Sequence, residues 1–278
     1  MFSLATGQLT RFAFAGWKAH EIPLARQLLP WIEPKAIVLA DRGFCGWGFM
    51  ALLQRRQVDV VLRLHQARRT PAGRVSWPKP PRSSATWDQA LWAELPDELA
   101  LRVVTFRVEV RGFRTREVTV VTTLLDEQQY PDEAIAELYR RRWSVELFFR
   151  EIKTTLRLDV LRGLSPELIE KEVWMQVIAC NVIRALMVEA ARAHRVQVDQ
   201  LSFKGTVDTL RQWTPLFAPA LFVSRIARQE LLRIIAADLL PRRPHRSEPR
   251  AVKRRPKVFQ LLTKPRRQMI VSASRALK

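Results

Sequence analysis

One uninterrupted helix-forming stretch, residues 134–156, constrains this chain more than any other feature of its sequence. It contains no Gly or Pro, and strong helix formers dominate it. Pro131 precedes the stretch, and Asp132 and Glu133 follow that proline, an arrangement that is typical of a helix start. The pattern predicts a single long helix.

Projection of this helix separates a polar stripe from an apolar one. At about 100° per residue with Tyr139 set to 0°, Arg142, Glu146 and Lys153 fall near −60°, −20° and −40°. An apolar stripe between about −80° and −140° is predicted to face the core, and it consists of Leu138, Val145, Phe149, Ile152 and Leu156. The polar stripe therefore borders a packed face, where a cleft can form. Arg150 and Arg157 lie beside this stripe and broaden its basic surface, which we expect to bind DNA phosphates, and Trp143 borders it.

The four polar residues have the spacing Y-x2-R-x3-E-x6-K. This spacing resembles the signature of the DDE transposases of bacterial insertion sequences. The resemblance implies that Glu146 is the third metal-binding carboxylate, and that Tyr139, Arg142 and Lys153 hold the DNA of a transposon end. The alternative is a surface helix whose charges are merely solvated.

A second acid of interest follows a short apolar run. Residues 35–40 predict a buried strand, and that strand ends at Asp41. Gly43 allows a sharp turn there, and the carboxyl end of a strand is where α/β folds place their sites. The resemblance implies that Asp41 is the second catalytic carboxylate. The alternative is an Asp that only caps a helix.

The first catalytic Asp of that family should lie on an earlier strand, yet no acid precedes Glu21. We therefore expect the chain to match only the C-terminal part of a full transposase. It would be a truncated or split-frame product with two of three carboxylates and doubtful activity alone. Asp126, after the predicted strand 116–125, is the other Asp at a strand end, and we expect it to cap a connection.

The remaining pattern, with the resemblance, predicts an α/β fold. It consists of a ribonuclease-H-like mixed sheet flanked by helices, with a β-rich insertion and a helical C-terminal extension. Further strands are predicted at 8–15, 58–65 and 101–110, and further helices at 20–29, 47–56, 165–194, 204–213 and 220–239. The expected units are 1–65, 66–125, 126–164, 165–240 and 241–278.

Several tryptophans have two interpretations. Trp77, Trp87 and Trp92 lie in the expected insertion, where core packing is the default role and contact with a base the alternative. Trp143 could stack on an unpaired base, or it could pack against the insertion.

Charge indicates a polyanionic partner. The net charge of +20 favours nucleic acid or an acidic membrane surface. Residues 241–278 contain thirteen Lys and Arg against one Glu, a net charge of +12, which we assign to phosphate contact. Two distant Cys suit a reducing cytoplasm, and the start of the chain has no signal-peptide pattern. The apolar residues 173–190 are interrupted by polar ones, so we expect no membrane span.

The resulting hypothesis is metal-dependent DNA transposition, with strand cleavage at element ends followed by strand transfer. The resemblance implies Mg²⁺, for which Mn²⁺ can substitute, bound by Asp41 and Glu146. It also implies double-stranded DNA as partner, a homodimer gripping two ends, and a cytoplasmic, nucleoid-associated protein. Two rivals remain: a non-catalytic DNA-binding protein, and a metal-dependent nuclease with another ligand set.

Overall fold

A mixed five-stranded sheet organises the first half of the chain. The computed structural model describes residues 1–16, 19–65, 68, 70–83, 87–108, 117–214 and 225–241. The strands are β1 Ile37–Ala40, β2 Asp59–Arg63, β3 Gly73–Pro78, β4 Glu98–Arg107 and β5 Glu117–Thr122. Their order is β1-β2-β5-β4-β3, with β1 and β2 parallel and the other neighbours antiparallel. The predicted α/β class with a mixed sheet is confirmed.

Helices flank this sheet and make up most of the second half. They are α1 Glu21–Leu28, α2 Trp47–Arg55, α3 Gln89–Ala93, α4 Asp132–Arg141, α5 Ser144–Arg150, α6 Pro166–His194, α7 Phe203–Trp213 and α8 Arg225–Ala237. Three short 3₁₀ helices span Leu29–Trp31, Arg42–Phe44 and Val198–Gln200, and a π-helical segment spans Glu151–Thr155. The predicted helices at 20–29, 47–56, 165–194 and 204–213 are confirmed. The predicted helix 220–239 is described from residue 225, and both the basic tail from 242 and the turn at 111–112 lie outside the described residues.

The sheet separates two apolar clusters because its side chains alternate between faces. Val60 and Leu62 of β2 pack with α2 on one face. Val61 points to the other face, where Ile135 and Tyr139 of α4 cover it. The helix that starts the signature stretch is therefore fixed against the sheet.

Residues 8–15 do not form the predicted strand. Leu9 makes one isolated bridge to Phe2. Its N–H donates to Asn181 Oδ1 at 2.9 Å, and its carbonyl accepts from Asn181 Nδ2 at 2.9 Å. A side-chain amide of α6 thus takes the place of a neighbouring strand. β3 shows the reverse case, because the structure has a strand where the Pro-rich sequence predicted none. Its Pro78 is tolerated because β3 is an edge strand of the sheet.

The prediction of one continuous helix over 134–156 is wrong. The N–H of Arg142 bonds to the Tyr139 carbonyl at 3.0 Å, and that of Trp143 to the Arg140 carbonyl at 3.1 Å. This is 3₁₀ spacing, which winds the chain more tightly between α4 and α5. The predicted stripes are displaced as a result. Tyr139 is 1% exposed, whereas Phe149, predicted to face the core, is 47% exposed.

A third apolar cluster lies among the C-terminal helices. Residues of α6, α7 and α8 form it with Ile152 of the π segment. Ser165 caps α6 by accepting from the Leu168 N–H at 3.3 Å, as its sequence predicted. Among the described helices, only α6 is long and apolar enough, by length and composition, to cross a membrane. A third of its most apolar stretch is buried inside the protein. A core helix passes the same test, and α6 packs against α7 and α8.

Both cysteines should be unreactive in the folded protein. Cys45 and Cys180 are buried free thiols, and burial raises the pKa of each to about 11. We expect little reaction with Ellman's reagent at mildly alkaline pH until guanidinium unfolds the chain, when two thiols should be titrated. Cys45→Ala would assign the two signals. Rapid modification of the native protein would contradict the burial.

Candidate functional site

The site begins where β1 and β2 end. Ala40 pairs with Leu62 in parallel register, so Asp41 and Arg63 lie side by side at the C-terminal ends of β1 and β2. In α/β folds, functional side chains lie at this end of the parallel strands. The structure thus adds Arg63 to the predicted site. The sequence did not single out Arg63, because the strand was predicted to continue to residue 65, whereas β2 ends at Arg63.

Asp41 also caps the short helix that follows it. Its Oδ1 accepts from the Gly43 N–H at 2.8 Å, while the residue stays exposed. The capping interpretation is therefore correct for one carboxylate oxygen. A Cβ on Gly43 would lie 3.1 Å from Asp41 Oδ1 and 3.8 Å from Glu21 Oε2, so Glu21 approaches the same point. Sequence reasoning missed Glu21, because an acid at a helix start has a simpler explanation.

Tyr139 lies between the C-terminal end of β1 and the signature helix. Its ring lies in the cluster under α4, with its centroid 6.4 Å from that of Phe106. Burial raises the pKa of Tyr139, the positive charges of Arg142 and Arg63 oppose that rise, and the negative charge of Asp41 adds to it. Asp41, at the end of β1, and Arg142, at the end of α4, thus both lie near enough to the Tyr139 hydroxyl for their charges to act on it. The predicted direct contact of Tyr139 with DNA does not match its buried position, which fits a supporting role beneath Arg142.

Arg142 continues the row from Tyr139 to Glu146. Its guanidinium carbon lies 5.5 Å from the Tyr139 ring centroid, and its Nη2 lies 3.8 Å from Glu146 Oε1. The Arg142 side chain is 15% exposed, whereas that of Glu146 is 72% exposed. Glu146 therefore presents an accessible carboxylate beside a largely buried cation.

The other predicted residues occupy the borders of this row. Lys153, Arg150 and Arg157 are all exposed, and Lys153 Nζ lies 5.6 Å from the Phe149 ring centroid. Trp143 is half-buried and packs against the cluster under α4, in accord with its packing interpretation.

The tryptophans of the insertion and Asp126 have structural roles. Trp77, Trp87 and Trp92 belong to the cluster on the α2 face, where Trp47 Nε1 donates to the Trp77 carbonyl at 3.0 Å. Asp126 Oδ1 accepts from the N–H groups of Gln128 and Gln129 at 2.9 and 3.0 Å, the capping role expected of it.

The acids fit a divalent cation only in part. Asp41 and Glu146 are exposed carboxylates, the oxygen ligands that Mg²⁺ prefers together with water. Within the described residues, however, no group of three or more His, Cys, Asp or Glu could hold a metal ion. Two carboxylates suit one ion, while a pair of ions also needs a ligand that both share.

Comparison with known proteins assigns the family. The sequence model of the family described as "Transposase DDE domain" matches residues 1–182. The chain belongs to this family. Membership agrees with the signature resemblance and with the mixed sheet flanked by helices.

Several curated relatives are similar to parts of this DDE transposase chain. The transposase InsG for insertion sequence element IS4 of Escherichia coli is 26% identical over 91% of this chain and 58% of its own length. The putative transposase InsL for IS186A of the same organism is 38% identical over 23% of this chain and 17% of its own. The probable transposase for IS5377 of Geobacillus stearothermophilus is 32% identical over 37% of this chain and 25% of its own. The chain thus spans little more than half the length of InsG.

Among solved structures, a piggyBac transposase in a synaptic complex with hairpin DNA is similar at 11% identity. The similarity covers 79% of this chain and 46% of that chain, with a TM-score of 0.38.

Proposed function

We propose that this chain is the catalytic part of a transposase that cleaves double-stranded DNA at element ends and joins it to a target. The observation that supports this most is the row from Asp41 through Tyr139 and Arg142 to Glu146, because it unites a strand-end acid with the signature helix. Loss of metal-dependent cleavage on replacement of Glu146 is the decisive test.

In this proposal Asp41 and Glu146 hold Mg²⁺, for which Mn²⁺ can substitute. When bound, the ion activates the attacking oxygen and stabilises the leaving oxygen. These two acids are two of the three carboxylates that the resemblance to DDE transposases implies. Arg142 orients Glu146 from its half-buried position, and the buried ring of Tyr139 supports Arg142 from below.

The DNA lies along the exposed cations beside this row. Arg150, Lys153 and Arg157 contact phosphates, and Trp143 borders the path of the strand. We further propose that two copies act together on two DNA ends, and that the protein works in the bacterial cytoplasm on nucleoid DNA.

A non-catalytic DNA-binding protein is the second candidate. It uses the same cations without turnover, and it is favoured by the lack of a three-acid metal group within the described part of the chain. Both candidates predict binding to duplex DNA, and only the first predicts cleavage.

The basic tail should make DNA binding strongly salt-dependent. Residues 241–278 carry a net charge of +12, and log affinity falls with log salt by about 0.9 for each phosphate neutralised. We expect deletion of 241–278 to flatten this slope by several units and to weaken binding on the order of tenfold or more at moderate salt. Fluorescence anisotropy with a labelled duplex across a KCl series measures both quantities.

The control is a full-length chain whose tail Lys and Arg are replaced by Gln, because it preserves tail length. It should behave like the deletion. An unchanged slope in both variants would mean that the tail does not contact DNA.

A further inference from the structure

A buried ion pair joins the signature region to α6. Arg184 Nη2 contacts Glu151 Oε2, and the two side chains are 5% and 21% exposed. Arg184 Nε has no hydrogen-bond partner among the described residues. Arg184 is therefore buried and Glu151 largely so, which reduces the screening of the pair by solvent.

Aromatic rings and a glycine turn enclose the guanidinium of Arg184. Its Cζ lies 4.7 Å from the Phe148 ring centroid and 5.0 Å from that of Phe203. A Cβ on Gly7 would come within 2.8 Å of the same atom, and Gly7 has a φ of +72°. The N-terminal turn approaches Arg184 this closely because glycine has no side chain. The direction of the guanidinium is therefore fixed by three separate parts of the chain.

Glu151 is the residue at which the signature helix changes its winding. It begins the π segment Glu151–Thr155, and its carbonyl accepts from the Leu156 N–H at 3.0 Å, five residues later. Ile152 is buried in the C-terminal helical cluster, while Lys153 is exposed. Glu151 and Ile152 are thus held by the protein interior directly before the exposed Lys153. Single π turns of this kind occur often at functional sites.

A contribution to the stability of the folded protein does not by itself explain why an ion pair occupies this position. Burial raises the pKa of Glu151, and the charge of Arg184 opposes that rise. Replacing a buried ion pair by apolar side chains of similar volume is often neutral or stabilising. What apolar side chains would not reproduce is the fixed direction of the contact.

We propose that Arg184 is a positioning residue that acts through Glu151 to fix the π segment, and with it the direction in which Lys153 meets a DNA phosphate. This inference rests on the proposed DNA-binding function. Arg184 itself touches no DNA, because it is enclosed by protein.

A double-mutant cycle on DNA binding tests the proposal in the full 278-residue chain. Lys153→Ala is measured in the wild type and in Arg184→Met by anisotropy with a labelled duplex across a KCl series. In the wild type, loss of one phosphate contact should reduce the slope of log affinity against log salt by about one. In Arg184→Met, the same Lys153→Ala change should leave the slope unaltered, because Lys153 no longer reaches its phosphate.

The matched control is Arg228→Met. Arg228 forms a bidentate pair from α8 to Glu189 of α6, with donor distances of 3.0 and 2.7 Å, and both partners are exposed. The Lys153 effect should persist in this background. Glu151→Gln is the milder test variant, since it removes the charge with little change of shape. Circular dichroism and thermal melting identify the variants that are folded at the assay temperature.

The outcomes separate the inference from the function on which it rests. An equal Lys153 effect in the wild type, Arg184→Met and Glu151→Gln overturns the positioning role. Steep salt dependence in the wild type with no Lys153 effect also overturns it but leaves DNA binding standing. Failure of the wild type to bind duplex removes the proposed function as well.

Discussion

Glu146→Gln should abolish metal-dependent DNA cleavage by a version of this chain that is given a third catalytic carboxylate on an added N-terminal strand. We expect the rate in Mg²⁺ or Mn²⁺ to fall by roughly a thousandfold or more, because Glu146 is one of the carboxylates proposed to hold the metal. Asp41→Asn should have an effect of the same order. Gel analysis of a labelled element end measures nicking and joining.

Glu137→Gln is the matched control for this experiment. Glu137 is an exposed acid on α4 that pairs with Arg140 at 3.1 Å, and its loss should leave cleavage nearly unchanged. The 278-residue chain alone should bind the same DNA without nicking it. Glu146-dependent cleavage by that short chain would show that one of its own 278 residues supplies the third carboxylate. Glu21 would then be the first residue to test as third ligand, because it lies beside Asp41.

Arg184→Met should destabilise the folded protein by roughly 3–5 kcal/mol, since it leaves the buried Glu151 carboxylate without its partner. The melting temperature should fall by roughly 10 °C for a chain of this size. The double variant Arg184→Met/Glu151→Leu should recover most of that loss, because no buried charge remains. Thermal and urea unfolding followed by circular dichroism provide the measurement.

The destabilisation should also depend on pH. Burial raises the pKa of Glu151 above its ordinary value of about 4.5, so the folded state binds its proton more readily than the unfolded state does. The stability that this protonation contributes is present at low pH and is lost as pH rises through the raised pKa. Arg184→Met removes the opposing charge and raises the pKa further. The loss of stability should therefore be largest at neutral pH and should shrink on acidification.

Arg228→Met again serves as the reference. Its pair with Glu189 is exposed, so we expect a change of about 0–1 kcal/mol with no such pH dependence. A similar loss for Arg184→Met would show that the enclosed pair is as weak as a surface one.

Patterns among neighbouring residues were sufficient to predict many of the helices and strands of this protein. A short apolar run ending at Asp41, a Ser-Pro-Glu helix start at Ser165 and a polar row at fixed spacing all depend on neighbouring residues. Such patterns predicted β1, β2, α2, α6 and α7, and the signature spacing led to the family that residues 1–182 match.

The break in the signature helix was decided by tertiary packing. Helix propensity favours one unbroken helix over 134–156, because nothing local interrupts it. In the fold, Trp143 packs against the cluster under α4 and Ile152 packs among the C-terminal helices. One uniform helix does not direct both residues to these places, so a 3₁₀ turn and a π turn adjust its winding.

The sequence by itself thus determined the chemistry of the candidate site: a strand-end Asp41, a helical Glu146, and the cations beside them. Only the tertiary structure decided which of these residues are buried. It placed Tyr139 inside, left Glu146 accessible, and brought Arg63, Glu21 and Arg184 to the site or its support. The physical reason is that these contacts join residues far apart in the chain, whose approach depends on the register of the sheet and the packing of the helices.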